Sequence, residues 1–212
     1  MTDVIVYGNP LSTYTRTARM ALTAKGVVHT LEPVDHRAPE YRAIQPFGKT
    51  PALRHGDFVL YETLAIACYV DEAFDGPPLA PADAQARARM FQWISATLDY
   101  FYDAMIVKLV FERLVAKMKG RAPNEALIAE ALPDITLQVG VLDKALNGAP
   151  YLAGETMSIA DMFLLPILFY VNFTNEGQRI LAGAPALGEW LARMSGEPCA
   201  EATMPPVAKL TA

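Results

Sequence analysis

The run Asp75-Gly76-Pro77-Pro78-Leu79-Ala80-Pro81 packs three prolines and a glycine into seven residues. No helix or central strand can pass through it, because each proline removes a backbone donor and fixes φ. The chain must therefore fold as two parts joined here, and the patterning differs on the two sides. Upstream, Val4-Ile5-Val6-Tyr7 is a compact β-favouring run that Asn9-Pro10 interrupts. A helix is expected from about Thr13, where Ala18, Met20, Ala21, Leu22 and Ala24 are good helix formers and Gly26 stands at a C-cap position. Residues 27–31 suit a second strand, 39–44 a short helix and 51–53 a third strand. His55-Gly56-Asp57 then turns into Phe58-Val59-Leu60-Tyr61 as a hairpin partner. From Glu62 the spacing is helical again, so the order is βαβαββα.

Downstream, strand signals fade and the apolar residues follow helical spacing over 83–118, 124–146, 158–173 and 185–194. Pro133 and Pro166 fall inside two of these helices, where a kink or break is expected. The fold class read from this pattern is α/β plus all-α. An N-terminal domain covers 1–76, a linker 77–82, and an all-helical domain 83–212. The tail after Gly196, with Pro198, Pro205 and Pro206, reads either as a cover over a pocket or as disordered.

Composition narrows the function classes. With 212 residues, 52% of them hydrophobic, the chain can bury cores without metal or crosslinks. A net charge of -5 with mixed signs offers no basic stripe, so nucleic acid is not an expected partner. Cys68 and Cys199 are far apart, and His29, His36 and His55 form no ligand cluster, so no metal is expected. The first ten residues lack the pattern of a signal peptide, and the strongest apolar run, 162–171, is about half of what a bilayer span needs. A cytoplasmic protein, with no membrane partner and small molecules or proteins as partners, is the expectation.

Three segments carry chemistry. In Tyr7-Gly8-Asn9-Pro10-Leu11-Ser12-Thr13-Tyr14, a hydroxyl at a helix start sits beside unpaired N–H groups and the positive end of the dipole, so Ser12 either caps or catalyses. Tyr7 and Tyr14 are rivals. In Gln45-Pro46-Phe47-Gly48-Lys49-Thr50-Pro51, a proline directly before a strand can hold a cis peptide that offers backbone to an extended peptide, or an ordinary trans turn. Glu62-Thr63 at a helix start is either a capping pair or a site for a ligand with both amine and carboxylate.

Together these segments resemble the glutathione transferase superfamily. The run His36-Arg37-Ala38-Pro39-Glu40-Tyr41, then Gln45 to Leu53, Gly56-Asp57 and Tyr61-Glu62-Thr63-Leu64-Ala65-Ile66 is similar to the family's NPxGxVPxL, GD turn and ESxAI helix. The likeness continues through Lys108-Leu109-Val110-Phe111-Glu112, Tyr151-Leu152-Ala153-Gly154-Glu155 and Ser158-Ile159-Ala160-Asp161, with phi-class and related bacterial members nearest.

The resemblance implies a thioredoxin-like N-terminal domain that binds glutathione as co-substrate, and an enzyme of detoxification acting as a homodimer. By it, Ser12 is the catalytic hydroxyl at the glutathione sulfur, and His36 and Arg37 lie near the glycine carboxylate. Lys49 and Thr50 precede the cis-proline Pro51, with Thr50 pairing with the cysteinyl backbone. Glu62 and Thr63 hold the γ-glutamyl group. Ser158 and Asp161 form a capping box, a folding element. An apolar electrophile is expected between the domains, against Leu11, Thr13, Tyr102 and Phe111. Thr50 stands for the usual valine, Thr63 for serine and Lys49 for a frequent glutamine, which adds charge near the peptide. The alternatives are a glutathione or apolar-ligand binding module without turnover, or a glutathione-dependent peroxidase, isomerase or dehalogenase.

Overall fold

The computed structural model describes residues 3–206. Two compact units divide them: one holds the chain up to Ala80 together with Glu197–Pro206, the other Pro81–Gly196.

The first unit contains β1 (Val4–Tyr7), α1 (Thr13–Ala24), β2 (Thr30–Glu32), α2 (Pro39–Arg42), β3 (Ala52–His55), β4 (Phe58–Tyr61) and α3 (Thr63–Ala73), the βαβαββα order. The sheet order is β2-β1-β3-β4, with β1 parallel to β2 and antiparallel to β3, and β3 antiparallel to β4. α1 buries Ala18, Met20, Ala21 and Leu22, and α3, packed on it, buries Ile66, Ala67 and Val70. Each large apolar side chain removed from water in this way contributes about 1.5–3 kcal/mol.

The second strand begins later than the 27–31 expected from sequence. Val27 N–H bonds to Leu22 O at 2.9 Å and Gly26 N–H to Thr23 O at 2.9 Å, with Gly26 at φ +71. That pair is a Schellman ending of α1. It consumes Val27 and leaves Val28 87% exposed.

In the second unit, α4 (Ala84–Ala96) is capped by Asp83, whose carboxylate accepts from Gln85 and Ala86 N–H. It runs without a break into a π-helical segment, Thr97–Val115, and α5 (Ala116–Met118). Then come α6 (Glu125–Leu146), α7 (Ile159–Val171), α8 (Asn175–Leu181) and α9 (Pro185–Ser195). α7 is buried almost all round and packs on α4, the π-helical segment, α8 and α9. α6 and α7 continue through Pro133 and Pro166. The expected breaks are absent: an interior proline forfeits one backbone bond, and burial on several sides outweighs that loss in α7.

Asp161, fully buried at the start of α7, accepts four hydrogen bonds. Leu152 N–H (3.0 Å) and Trp190 Nε1–H (2.9 Å) reach Oδ1; Ser158 N–H (2.9 Å) and Ser158 Oγ–H (2.8 Å) reach Oδ2. Burial raises its pKa, and these four donors pull it back.

The sequence reading gave 83–212 to one helical domain. Within the described residues Glu197–Pro206 belongs with the first unit, where α10 (Pro198–Ala202) packs on α1. Cys199 and Ala200 are buried there, and Ala200 O accepts from Arg16 Nη2 at 3.2 Å. This part of the tail is ordered structure rather than a disordered end; residues 207–212 lie outside the described part.

Candidate active site

The register of the sheet assembles the site. Tyr7 pairs with Glu32 on one side and Ala52 on the other, and Ala52 pairs with Tyr61. Glu32, Tyr7, Ala52 and Tyr61 therefore form one row across all four strands. The chain leaving Glu32 leads to His36-Arg37, that leaving Tyr7 to Ser12, and that leaving Tyr61 to Glu62-Thr63, while Thr50-Pro51 enters Ala52. All the residues expected to hold glutathione thus lie at the same end of the sheet. Three strand spacings of about 4.8 Å make the row about 14 Å wide, against about 10 Å for an extended tripeptide. α1 and α3, packed on each other, both begin at this end, so two helix N-termini add positive potential there.

Ser12, half-buried, is the N-cap of α1, and its Oγ accepts from Thr15 N–H at 3.2 Å. A hydroxyl that accepts one bond still has its proton to donate. Tyr7 is buried in a small core with Tyr41 and Ala52, which removes its ring from the surface. The Thr50–Pro51 peptide is cis. Glu62 is exposed and is the one non-glycine residue with positive φ among the described residues, at φ 72 and ψ 120, and its carboxylate makes no capping bond. Thr63, at the first position of α3, is buried. His36, Arg37 and Lys49 are exposed; His36 and Arg37 follow β2 at one edge of the sheet and Glu62 follows β4 at the other, while Lys49 precedes β3 between them.

Leu11, half-buried, donates its N–H to Asn9 Oδ1 at 2.8 Å, and Thr13 is buried. Tyr102 and Phe111 belong to the other unit, on the π-helical segment; Tyr102 is half-buried, which pushes its hydroxyl pKa up, and Phe111 is 40% exposed.

Several supporting residues escaped the sequence reading. Gln45, 1% exposed, accepts from Lys49 N–H at 3.0 Å, and Tyr41 Oη–H donates to Lys49 O at 2.6 Å. Gly48 has φ +60, and a Cβ there would lie 2.9 Å from His36 O, so glycine lets the two loops meet. Gly8 is required likewise, because a Cβ would sit 2.4 Å from Thr15 Oγ1. The Gly48 signal was available in the loop; the other contacts depend on tertiary placement.

Comparison with known proteins identifies the family. Residues 6–78 match the model of the glutathione S-transferase N-terminal domain, and residues 60–198 that of the glutathione S-transferase C-terminal domain. The chain belongs to the glutathione S-transferase family. Glutathione S-transferase 3 of Zea mays is 30% identical over 213 residues, covering 96% of this chain and 94% of the relative. Glutathione S-transferase F9 of Arabidopsis thaliana is 31% identical, covering 78% and 80%. A solved structure of glutathione S-transferase III in its apo form superposes with a TM-score of 0.88 at 30% identity, covering 96% and 97%. The protein is a glutathione transferase with the family's thioredoxin-like and helical parts. Among the described residues no helix is long and apolar enough to cross a membrane, and no group of three or more acidic, histidine or cysteine side chains is placed to hold a metal.

Proposed function

We propose that this transferase activates the glutathione thiol with the Ser12 hydroxyl and directs the thiolate at a small apolar electrophile. The observation that carries the reading is the row Glu32-Tyr7-Ala52-Tyr61, which leads the four candidate segments to one end of the sheet. Glutathione then lies along that end. Its γ-glutamyl group faces Glu62 and Thr63, its cysteinyl backbone pairs with the Thr50 main chain before Pro51, and its glycine carboxylate meets His36, Arg37 and Lys49.

A free thiol with a pKa of about 8.5 is only a few per cent ionised at neutral pH. Lowering that pKa by about two units needs roughly 2.7 kcal/mol of preference for the thiolate. One charge-assisted bond from Ser12, with the N-terminus of α1 behind it, is of that size. The Thr15 N–H bonded to Ser12 Oγ polarises the hydroxyl and improves its donation. A soft thiolate favours soft, apolar electrophiles, which Leu11 suits better than a charged wall would. A cytoplasmic homodimer completes the reading: the second unit exposes Tyr100, Leu137 and Val141 around a groove of about 470 Å³, an apolar face that a second subunit would cover.

Titration calorimetry with glutathione at neutral and mildly alkaline pH tests this. Wild type should bind and release protons, Ser12→Ala should bind nearly as well without the release and lose well over tenfold in kcat/KM, and Glu62→Ala should bind weakly. Wild-type rates in Ser12→Ala would move the thiol-activating role elsewhere.

A further inference from the structure

The Thr50-Pro51 segment is held from two sides. After Pro51, Ala52 is locked into the sheet by pairing with Tyr7 and Tyr61. Before Thr50, both polar groups of the Lys49 main chain are taken: its N–H by the Gln45 side chain, its C=O by the Tyr41 hydroxyl. Tyr41 and Gln45 are 4% and 1% exposed, and α2, a single turn, carries the tyrosine. The Tyr41 ring packs in one small core with Tyr7 and Ala52, two members of the row that leads into the site. A change in the position of Tyr41 is therefore felt at Lys49 and at the sheet end together.

We propose that Tyr41 is a positioning residue for glutathione: its hydroxyl, with Gln45 opposite, fixes the Lys49 peptide so that the Thr50 main chain stands ready for the cysteinyl part of the ligand. The proposal rests on the reading above. The gain is entropic. A loop peptide that must be ordered on binding costs about 1–2 kcal/mol per residue, and a site already ordered avoids that cost. Burial pushes the Tyr41 hydroxyl up to about 12, so it remains a donor throughout any working pH range. Both bonds go to the Lys49 main chain, so the effect belongs to binding and not to ionisation of the sulfur.

Tyr41→Phe keeps the ring and its packing and deletes only the donor. It should raise the glutathione Kd and KM about tenfold, equivalent to about 1.4 kcal/mol, while the pKa of the bound thiol and kcat at saturating glutathione, measured with 1-chloro-2,4-dinitrobenzene, stay at wild-type values. Gln45→Leu, acting on the other end of the same peptide, should move Kd in the same direction. Tyr69→Phe is the matched control: it deletes the bond of 2.8 Å to His55, a residue at the opposite end of β3, and should leave Kd alone. An unchanged Kd in both Tyr41→Phe and Gln45→Leu, or an equal rise in Tyr69→Phe, overturns the assignment. Unchanged Kd with a raised thiol pKa in Ser12→Ala removes this inference alone; failure of the wild type to bind glutathione removes both.

Discussion

Glu62 carries the clearest conflict between residue type and backbone. At φ 72 and ψ 120 its Cβ is crowded in a way glycine would not feel, a conformation that costs of order 1–3 kcal/mol in a residue with a side chain. Folding alone does not need the carboxylate, since it makes no capping bond at the start of α3. Strain held without a structural return points to a ligand. Comparing Glu62→Gly with Glu62→Ala separates the two roles: both variants should lose glutathione affinity alike, yet the glycine variant should melt about 2–4 °C higher, the shift expected of about 1 kcal/mol in a chain this long. Equal melting temperatures, read by calorimetry, would mean that the backbone there is unstrained. The residue types at this site were legible in the sequence, because a hydroxyl or carboxylate at a helix start is a local signal. The positive φ of Glu62 was not, because it arises where β4, a short connection and α3 must join within two residues.

Elements were legible to the degree that their determinants are local. The Phe58–Tyr61 strand, the starts of α1 and α6, and the order of the first unit follow from runs of a few residues. α8 was missed although Thr174, whose hydroxyl accepts from Gly177 N–H, is a cap signal visible in the sequence; seven residues give too little periodicity to register. The row that builds the site was illegible, because it joins residues some 45 positions apart through β1 and β3. At the start of α7 the local and the distant meet. Ser158 and Asp161 form the capping box expected from sequence, but Asp161 also receives Leu152 N–H and Trp190 Nε1–H, which no local pattern announces. Asp161→Ala would leave four buried donors unpaired and should cost about 3–5 kcal/mol in denaturant unfolding. Ser158→Ala, which removes one of them together with the acceptor side of the cap, should cost about 1 kcal/mol. Near-equal losses in the two variants would confine Asp161 to a capping role.

For the molecule as a whole, response to acid depends on a few carboxylates of the helical unit. Glu112 accepts from Arg121 Nη1 and Nη2 at 2.8 Å each and from Asn124 N–H at 2.7 Å. It thereby ties the end of the π-helical segment to the cap residue of α6. Bonding to Arg121 first, and then to the Asn124 amide, holds its carboxyl at about 2, below the ordinary value of 4.5. Glu125 and Glu176 are depressed too, chiefly by their bonds to Arg113. A carboxylate depressed in the folded state contributes stability that is complete above its unfolded value and disappears as pH falls through its folded one. Glu112→Gln should therefore melt below wild type near neutrality, and the gap should narrow as pH falls from about 4.5 toward 2, where the wild-type carboxylate also becomes protonated. Thermal unfolding of both proteins across that range measures it. A gap constant with pH would assign the loss to packing or to the neutral hydrogen bonds, and would remove Glu112 from the acid response. The bonds of Glu112 run to the Arg121 guanidinium and the Asn124 amide and none to a glutathione segment, so the variant should keep the wild-type affinity for glutathione while its response to acid changes.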